Sequence, residues 1–182
     1  MPRYVVFLRG INLGGKRRVG MADLRAALDS EGFEDVRTLL QSGNVVLTSG
    51  AKPRPLERGL AKTLRRAFGF DIAVVARTRD ELAEVIRADP FGAEADDPAR
   101  YQVSFLSDKP SRRAAQELEA AATAPERVAV RGREVYAWHP GGVGRSELAK
   151  LITAKRLEVE VTARNWRTIT KLLELADSPA GA

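Results

Sequence analysis

The 182 residues of this chain are enough for one large domain or two small ones, and a hydrophobic content of 44% can supply a buried core. The absence of cysteine and the presence of one histidine exclude disulfides, thiol nucleophiles, thiolate metal sites and imidazole clusters. The net charge of +6 favours an anionic partner. The surplus lies in the first half, where residues 1–92 carry 16 basic and 11 acidic groups. An arginine-rich composition, with 23 arginines to 7 lysines, is also what a GC-rich genome produces.

The hydrophobic runs of the chain indicate a protein without a membrane segment. None approaches the roughly 18 residues that span a bilayer. Arg3 and Arg9 stand too close together for the apolar core of a signal peptide. We therefore expect a cytoplasmic protein that does not contact membranes.

Hydrophobic spacing and turn residues predict seven elements in the first half. In chain order they are a strand at 4–8, a helix at 22–31, strands at 36–40 and 45–48 joined by a turn, a basic amphipathic helix at 56–68, a strand at 72–76 and a helix at 79–87. Thr78 is predicted to cap the last of these helices, and Glu81 has the spacing of a capping box.

The same signals predict a second series after the acidic loop at 94–98. It comprises a strand at 102–106, a helix capped by Ser111 and ending near 122, a hairpin at 127–130 and 134–138 around Gly132, a helix at 147–155, a strand that includes 157, 159 and 161, and a final helix capped by Asn165.

The element order β-α-β-β-α-β-α therefore occurs twice. Its first six elements spell the split βαβ, or ferredoxin-like, unit. We expect an α+β protein with a duplicated ferredoxin-like fold, in which antiparallel sheets carry helices on one face. The division is predicted to give one half at 1–92 and a second half with the C-terminal helix at 93–182, and the short linker favours one rigid body.

A glycine-rich basic loop follows the first strand, in the sequence RGINLGGKRR. Backbone N–H groups beside positive charge hold anions, phosphate above all. The candidate ligand-binding residues here are Arg9, Asn12, Gly14, Gly15 and Lys16. The loop partly fits a nucleotide-binding P-loop, but Arg17 stands where a Ser or Thr would bind magnesium. The structural alternative is a tight connection whose glycines only supply positive φ angles.

Three further polar segments carry candidate binding residues. In QSGN these are Gln41, Ser42 and Asn44, which can hydrogen-bond base edges and also suit a plain hairpin turn. Ser42 has no general base that can be placed beside it, so a serine nucleophile is not expected.

A second glycine-rich turn, HPGGVGRS, supplies the candidates Gly141, Gly142, Gly144, Arg145 and Ser146. Ser146 is equally well explained as a helix N-cap. His139 is expected to end a strand with its ring at the surface, which leaves an acid–base role open.

The segment TARNWRT supplies the candidates Arg164, Asn165 and Trp166. In the functional interpretation Arg164 and Arg167 bind phosphate while Trp166 stacks on a base. In the structural interpretation Asn165 is a cap and Trp166 anchors the core.

Read together, these segments resemble a family of bacterial proteins known as domain of unknown function 1697. The resemblance rests on LRGINLGGK at 8–16, QSGNVV at 41–46, PGGVGRSEL at 140–148 and TARNWRTITKL at 162–172. It implies the same duplicated ferredoxin-like architecture. It implies no activity, and so no catalytic residue can be carried over.

The leading functional hypothesis is a binding protein for a phosphate-bearing ligand, nucleic acid or a nucleotide, held by the two glycine-rich basic loops. One alternative is an enzyme acting on a small anionic metabolite between the two halves, although the sequence offers no clear acid–base pair. The other is a subunit whose polar loops form a protein interface. No motif points to a metal ion or an organic cofactor, and the oligomeric state is left open. We expect the opening loop to lie beside QSGN, and the second glycine loop beside the Arg-Asn-Trp segment.

Overall fold

Two antiparallel sheets of four strands organise the chain, and the computed structural model describes residues 1–179. Contacts group the residues into a first unit, which contains residues 1–84 and the described part of the last helix from residue 171, and a second unit of residues 85–170. The sequence-based division at 92/93 stays a prediction about domain boundaries.

The first unit has the strand order β2-β3-β1-β4, with neighbouring strands antiparallel. Its elements are β1 (Arg3–Leu8), α1 (Met21–Asp29), β2 (Glu34–Leu39), β3 (Asn44–Thr48), α2 (Pro53–Phe68), β4 (Val74–Thr78) and the start of α3 (Arg79–Arg87).

The second unit repeats this arrangement with the order β6-β7-β5-β8. Its elements are β5 (Tyr101–Leu106), α4 (Arg112–Ala120), β6 (Arg127–Arg131), β7 (Glu134–Trp138), α5 (Glu147–Leu151), α6 (Ala154–Leu157), β8 (Val161–Asn165) and the start of α7 (Trp166–Asp177). Both units have the βαββαβ order and the strand arrangement of a ferredoxin-like fold, which confirms the predicted fold class.

The helices of each unit cover one face of its sheet. In the first unit the apolar stripes of α1 and α2 meet alternate residues of the strands, including Tyr4, Val6 and Leu8 of β1. The opposite face of β1 is also buried, since Val5 and Phe7 have no exposed surface. A strand buried on both faces explains why the sequence reads as a continuous apolar run there.

Short-range capping patterns formed as predicted. The Thr78 hydroxyl accepts a hydrogen bond from the Glu81 N–H at 3.1 Å, and a Glu81 carboxylate oxygen accepts one from the Thr78 N–H at 2.8 Å. This reciprocal pair is a capping box. The Ser111 hydroxyl caps α4 by accepting a hydrogen bond from the Ala114 N–H, and the Asn165 side-chain oxygen caps α7 by accepting one from the Thr168 N–H.

The predicted strand through 157, 159 and 161 was wrong. Leu157 is buried as the last residue of α6, and Glu158 has a left-handed φ of 57° that ends that helix. The strand begins at Val161, where pairing with Leu106 starts. Alternating apolar residues suit a strand, but here they mark a helix end followed by a turn.

The predicted helix at 147–155 is in fact two short helices. It breaks after Leu151, and the Thr153 hydroxyl caps the second helix by accepting a hydrogen bond from the Arg156 N–H. A threonine at this place offers the backbone a new N-terminus, which competes with helix continuation. None of the helices within residues 1–179 has the length and apolar character needed to cross a bilayer.

Candidate functional surfaces

The opening glycine-rich loop folds as a small hairpin. The Asn12 N–H donates to the Arg17 carbonyl and the Lys16 N–H donates to the Leu13 carbonyl, each at 3.1 Å. Gly14 and Gly15 form the tip with φ angles of 56° and 75°. Two successive positive φ angles are the geometry of a two-residue hairpin turn, which favours glycine. Part of the loop's hydrogen-bonding capacity is therefore used to build its own shape.

Asn12 joins this loop to the QSGN turn. Its side-chain nitrogen donates to the carbonyls of Val19 and Gln41 at 3.0 and 2.7 Å, and its side-chain oxygen accepts from the Val19 N–H at 2.9 Å. These bonds use both hydrogens of the amide. Asn12 is thus a clamp between two loops, and the structure brings the opening loop and QSGN together as predicted.

Gly43 fixes how closely the two loops pack. An added Cβ at this position would lie 2.8 Å from Leu8 Cβ and 2.8 Å from Ile11 Cδ1, and its φ is 83°. Asn44 is fully buried, and its side-chain nitrogen donates to the Leu39 carbonyl at 2.8 Å and the Ser42 hydroxyl at 3.0 Å. Within QSGN, only Gln41 and Ser42 are exposed to a ligand.

The three cations of the opening loop differ in how many contacts their side chains make with the rest of the protein. The exposed Lys16 ammonium has no ion-pair or hydrogen-bond partner among residues 1–179. The Arg17 guanidinium lies 4.8 Å from the centre of the Phe70 ring and donates to the Asp71 carbonyl. The Nε group of Arg18 donates to the Gly15 carbonyl at 3.3 Å. Lys16 is the most available of the three, while Arg17 attaches the loop to the segment that follows α2.

Helix α2 carries a continuous row of exposed cations, which we call the basic face. Their spacing of three to four residues places them on one side of the helix, and each four-residue step advances about 6 Å along the axis. The basic face consists of Arg54, Arg58, Lys62, Arg65 and Arg66. The sequence interpretation named a basic amphipathic helix but assigned no site to it, although the spacing in RPLERGLAKTLRR was the available signal.

No carboxylate of α2 shares this face. Glu57 is the one acidic residue of the helix; it is 8% exposed, and its Oε1 accepts a hydrogen bond from the Ala76 N–H of β4 at 2.9 Å. Arg65 forms an exposed pair with Asp71 at 3.1 Å, and Arg66 pairs with Glu31. Arg58 and Lys62 have no partner among residues 1–179. The positive charge of the face that no carboxylate offsets among residues 1–179 therefore comes from Arg58 and Lys62.

The second glycine-rich loop borders a cavity of about 370 Å³ in the second unit. The loop turns through hydrogen bonds from the Gly142 N–H to the His139 carbonyl and from the Arg145 N–H to the Gly142 carbonyl, at 2.8 and 3.1 Å. Arg145 is exposed, lines the cavity and has no ion-pair partner among residues 1–179. Gly141 and Gly142 line the same cavity; Gly144 and residues 164–166 do not border it within the described chain.

His139 lies inside the protein, so the expectation of a surface ring was wrong. Its side chain has no exposed surface, and Nδ1 lies 2.7 Å from Ser146 Oγ and 3.6 Å from Glu126 Oε1. Burial lowers the pKa of His139, although Glu126 opposes the shift. Burial raises the pKa of the Glu126 carboxyl, but hydrogen bonds from Ser146, from the Leu148 N–H and from His139 outweigh burial and hold the pKa below its usual range.

The Ser146, His139 and Glu126 side chains do not form a nucleophilic triad. In such a triad the serine and the acid approach opposite ring nitrogens, whereas here both approach Nδ1. The Ser146 hydroxyl also accepts a hydrogen bond from the Ala149 N–H at 2.8 Å, as the N-cap of α5. Its buried position suits a structural role better than attack on a substrate.

The Arg-Asn-Trp segment is engaged in internal contacts. Arg164 is 9% exposed and donates to the Thr162 hydroxyl and the Ala163 carbonyl, both at 2.8 Å; burial lowers its pKa to about 10. Trp166 stacks on the Tyr101 ring with a centroid distance of 4.7 Å. These contacts agree with the structural interpretation of the motif, and its role in ligand binding stays a prediction.

The fold and surfaces define a duplicated ferredoxin-like protein with a cationic first unit. The chain belongs to the family described as protein of unknown function (DUF1697), whose model matches residues 1–136. The motifs at 8–16 and 41–46 lie within that range.

A solved structure titled as a conserved bacterial protein from Streptococcus pneumoniae has the same fold. It superposes with a TM-score of 0.79 at 22% sequence identity, covering 97% of this chain and 99% of that one. A comparison with curated proteins gave no match.

Proposed function

We propose that this protein binds nucleic acid through its phosphates, with the basic face of α2 and the opening loop of the first unit as the binding surface, in the cytoplasm. The observation that carries the proposal is the inward position of Glu57, which leaves five cations and no carboxylate of α2 on the exposed side. A row of exposed cations, of which Arg58 and Lys62 have no ion-pair partner among residues 1–179, attracts a chain of phosphates electrostatically.

The loop extends this surface beyond the helix. Helix α2 ends at Phe68 with Gly69 as its C-cap, and the Arg17 guanidinium lies over the ring of the next residue, Phe70. The exposed Lys16 is the neighbour of Arg17 in the chain. The cations of the loop therefore begin where those of the helix end, which supports a single extended contact with a polyanion.

A lipid surface is the less suitable polyanion. Membrane-binding amphipathic helices insert large apolar side chains below their charged face. The leucines of α2 at 56, 60 and 64 are all buried in the core of the unit, which leaves none for a bilayer. A soluble polyanion requires only the cations.

Salt dependence tests the proposal. Affinity for a short single-stranded oligodeoxynucleotide is measured by fluorescence anisotropy over a series of salt concentrations. The logarithm of the affinity should fall linearly with that of the salt concentration, by about 0.7 for each phosphate neutralised. Replacing Arg58 and Lys62 by glutamine should weaken binding at low salt and reduce the slope by about 1.4.

A matched variant controls for net charge. Lys109→Gln with Arg112→Gln removes two exposed cations of the second unit, neither of which has a side-chain partner among residues 1–179. This variant should keep the slope of the unmodified protein. Equal loss in both variants would mean that total charge alone attracts the oligonucleotide, and no binding by the unmodified protein at low salt would refute the proposal.

A second candidate function is suggested by the cavity in the second unit. Its volume of about 370 Å³ is within the range of small-molecule sites, and Arg145 offers a guanidinium without an ion-pair partner among residues 1–179. Glu126 also lines this cavity and can accept a hydrogen bond from a hydroxyl group. A nucleoside monophosphate has both groups, phosphate and hydroxyl. Calorimetric titration with adenosine monophosphate should give saturable binding that Arg145→Gln abolishes and Arg112→Gln preserves.

A further inference from the structure

We infer that Leu13 and Leu40 contact the bases of the nucleic acid whose phosphates the neighbouring cations hold. The inference rests on the proposed function and extends it from the backbone to the bases. Leu13 and Leu40 expose 68% and 58% of their surface. With Met1, they are the exposed large hydrophobic residues within residues 1–179. Exposed apolar side chains mark interaction sites when they lie together and are rimmed by polar residues.

The two leucines belong to the two loops that Asn12 clamps together. Leu13 follows Asn12 and Leu40 precedes Gln41, and the hydrogen bond from Asn12 to the Gln41 carbonyl measures 2.7 Å. The close packing at Gly43 holds the same two loops in a fixed relation. The leucines are thus presented by one rigid surface rather than by two independent loops.

The exposed Leu40 also has a strained backbone conformation. Its φ of 62° lies in the left-handed region, where glycine or asparagine is the ordinary choice and a leucine costs free energy. Strain of this kind concentrates at functional sites. More than half of the Leu40 surface, 58%, stays exposed in return for this cost, and so burial in the folded chain is a weak reason for a leucine here.

The cations near the two leucines indicate which kind of partner fits this surface. Arg18 lines a cavity of about 330 Å³ together with Asn12 and Gln41, the chain neighbours of Leu13 and Leu40. Lys16 is exposed three residues after Leu13. A partner must therefore offer apolar faces together with negative charge. Nucleic acid does so, and several proteins insert leucine or similar side chains between bases while cations hold the phosphates.

The test separates bases from phosphates by using two probes. One is a labelled single-stranded oligodeoxynucleotide and the other is labelled inorganic polyphosphate, which has the phosphates without the bases. Leu13→Ala and Leu40→Gly should each weaken oligonucleotide binding about fivefold, since a leucine loses part of its burial. Neither substitution should change the salt slope or the affinity for polyphosphate. The pair Arg58→Gln and Lys62→Gln should weaken binding of both probes.

Leu40→Gly also separates binding from folding. Glycine adopts the left-handed conformation freely, so the melting temperature should hold or rise while oligonucleotide affinity falls. Leu13→Met, which conserves side-chain volume, should retain binding.

The outcomes distinguish the inference from the proposal on which it rests. Failure of the unmodified protein to bind either probe refutes the proposed function itself. Binding of both probes with unchanged leucine variants refutes the inference alone, as does equal loss for both probes. Concentration-dependent self-association that the leucine substitutions abolish, with oligonucleotide binding intact, would assign the leucines to a second copy of the chain and also overturn the inference.

Discussion

Arg77 and Arg164 occupy the same position in the two units. Arg77 of β4 pairs with Val5, and Arg164 of β8 pairs with Val103 at the corresponding place of β5. Each guanidinium donates to the carbonyl of the preceding alanine, at 2.9 and 2.8 Å. Both side chains are buried. The two units are therefore alike in their fold and also in this one buried arginine and its hydrogen bond.

The residues around these arginines carry a trace of the duplication in the sequence. Strand β4 reads VVART and strand β8 reads VTARN. In each, the residue after the arginine caps the next helix, Thr78 for α3 and Asn165 for α7. The strand, the buried arginine and the cap therefore form a repeated structural unit at the end of each βαββαβ series.

We expect Arg164→Lys to destabilise the protein by about 1–3 kcal/mol, because a lysine cannot reproduce the hydrogen bonds of a buried guanidinium and leaves a buried acceptor without its donor. Chemical unfolding measures the change. The exposed Arg145 provides the control, and Arg145→Lys should leave the unfolding midpoint in place. Equal effects of the two substitutions would contradict the structural role given to Arg164.

The helix caps Thr78 and Asn165 should contribute similar amounts to the free energy of unfolding. Thr78→Ala and Asn165→Ala each remove a side-chain acceptor from a helix N-terminus, which should cost about 0.5–2 kcal/mol of unfolding free energy. Asn165→Asp retains the acceptor and should preserve most of the stability. Thermal unfolding of the three variants is the measurement, and a loss for Asp as large as for Ala would show that the cap hydrogen bond is not the cause.

His139 should make the protein less stable as the pH falls below about 6.5, its ordinary pKa. Burial lowers the pKa in the folded state, so between that lowered value and 6.5 the unfolded chain binds a proton more readily. Protonation therefore favours unfolding, and the stability present at neutral pH is lost through this window.

Because His139 is the one histidine of the chain, its ring protons give an unambiguous NMR titration. The midpoint in the folded protein should lie below the midpoint measured in urea. Coincident midpoints, or a higher value in the folded state, would contradict the burial described for this ring.

Gly43→Ala should destabilise the first unit by about 1–3 kcal/mol, because the added methyl group overpacks the site. It would meet Leu8 and Ile11 at 2.8 Å on a backbone that already has a φ of 83°. Gly141→Ala is a matched control, since no atom lies within 4 Å of the Cβ position there. Chemical unfolding should separate the two variants, and equal midpoints would mean that the loops relax around the methyl group.

Local sequence patterns predicted the fold well where they act over a few residues. Thr78 and Glu81 gave the start of α3, and Asn165 gave the start of α7, because a capping hydrogen bond spans three residues. The strand predicted through Leu157 failed because an alternating pattern carries no information on the left-handed turn at Glu158. Leu157 is buried as part of a helix, although the alternation of apolar residues around it is typical of a strand.

The candidate site was harder to foresee than the fold. The glycine loops and their polar neighbours were identified from composition, but burial of His139 and Arg164 depends on residues distant in the sequence. The inward turn of Glu57 likewise requires the Ala76 N–H, 19 residues away, as its partner. The sequence of α2 shows one acidic residue among several basic ones. The hydrogen bond to β4 turns that acidic side chain inward, so the exposed side of the helix carries only basic residues.

The Asn12 clamp separates the hairpin tip from the rest of the loop. Its hydrogen bonds to Val19 and Gln41 secure the base of the hairpin, while an added Cβ at Gly14 would meet no atom within 4 Å. A change in the length of the tip should therefore leave the core of the first unit undisturbed. For the same reason, a peptide tag inserted between Gly14 and Gly15 should be displayed on the surface of a folded protein.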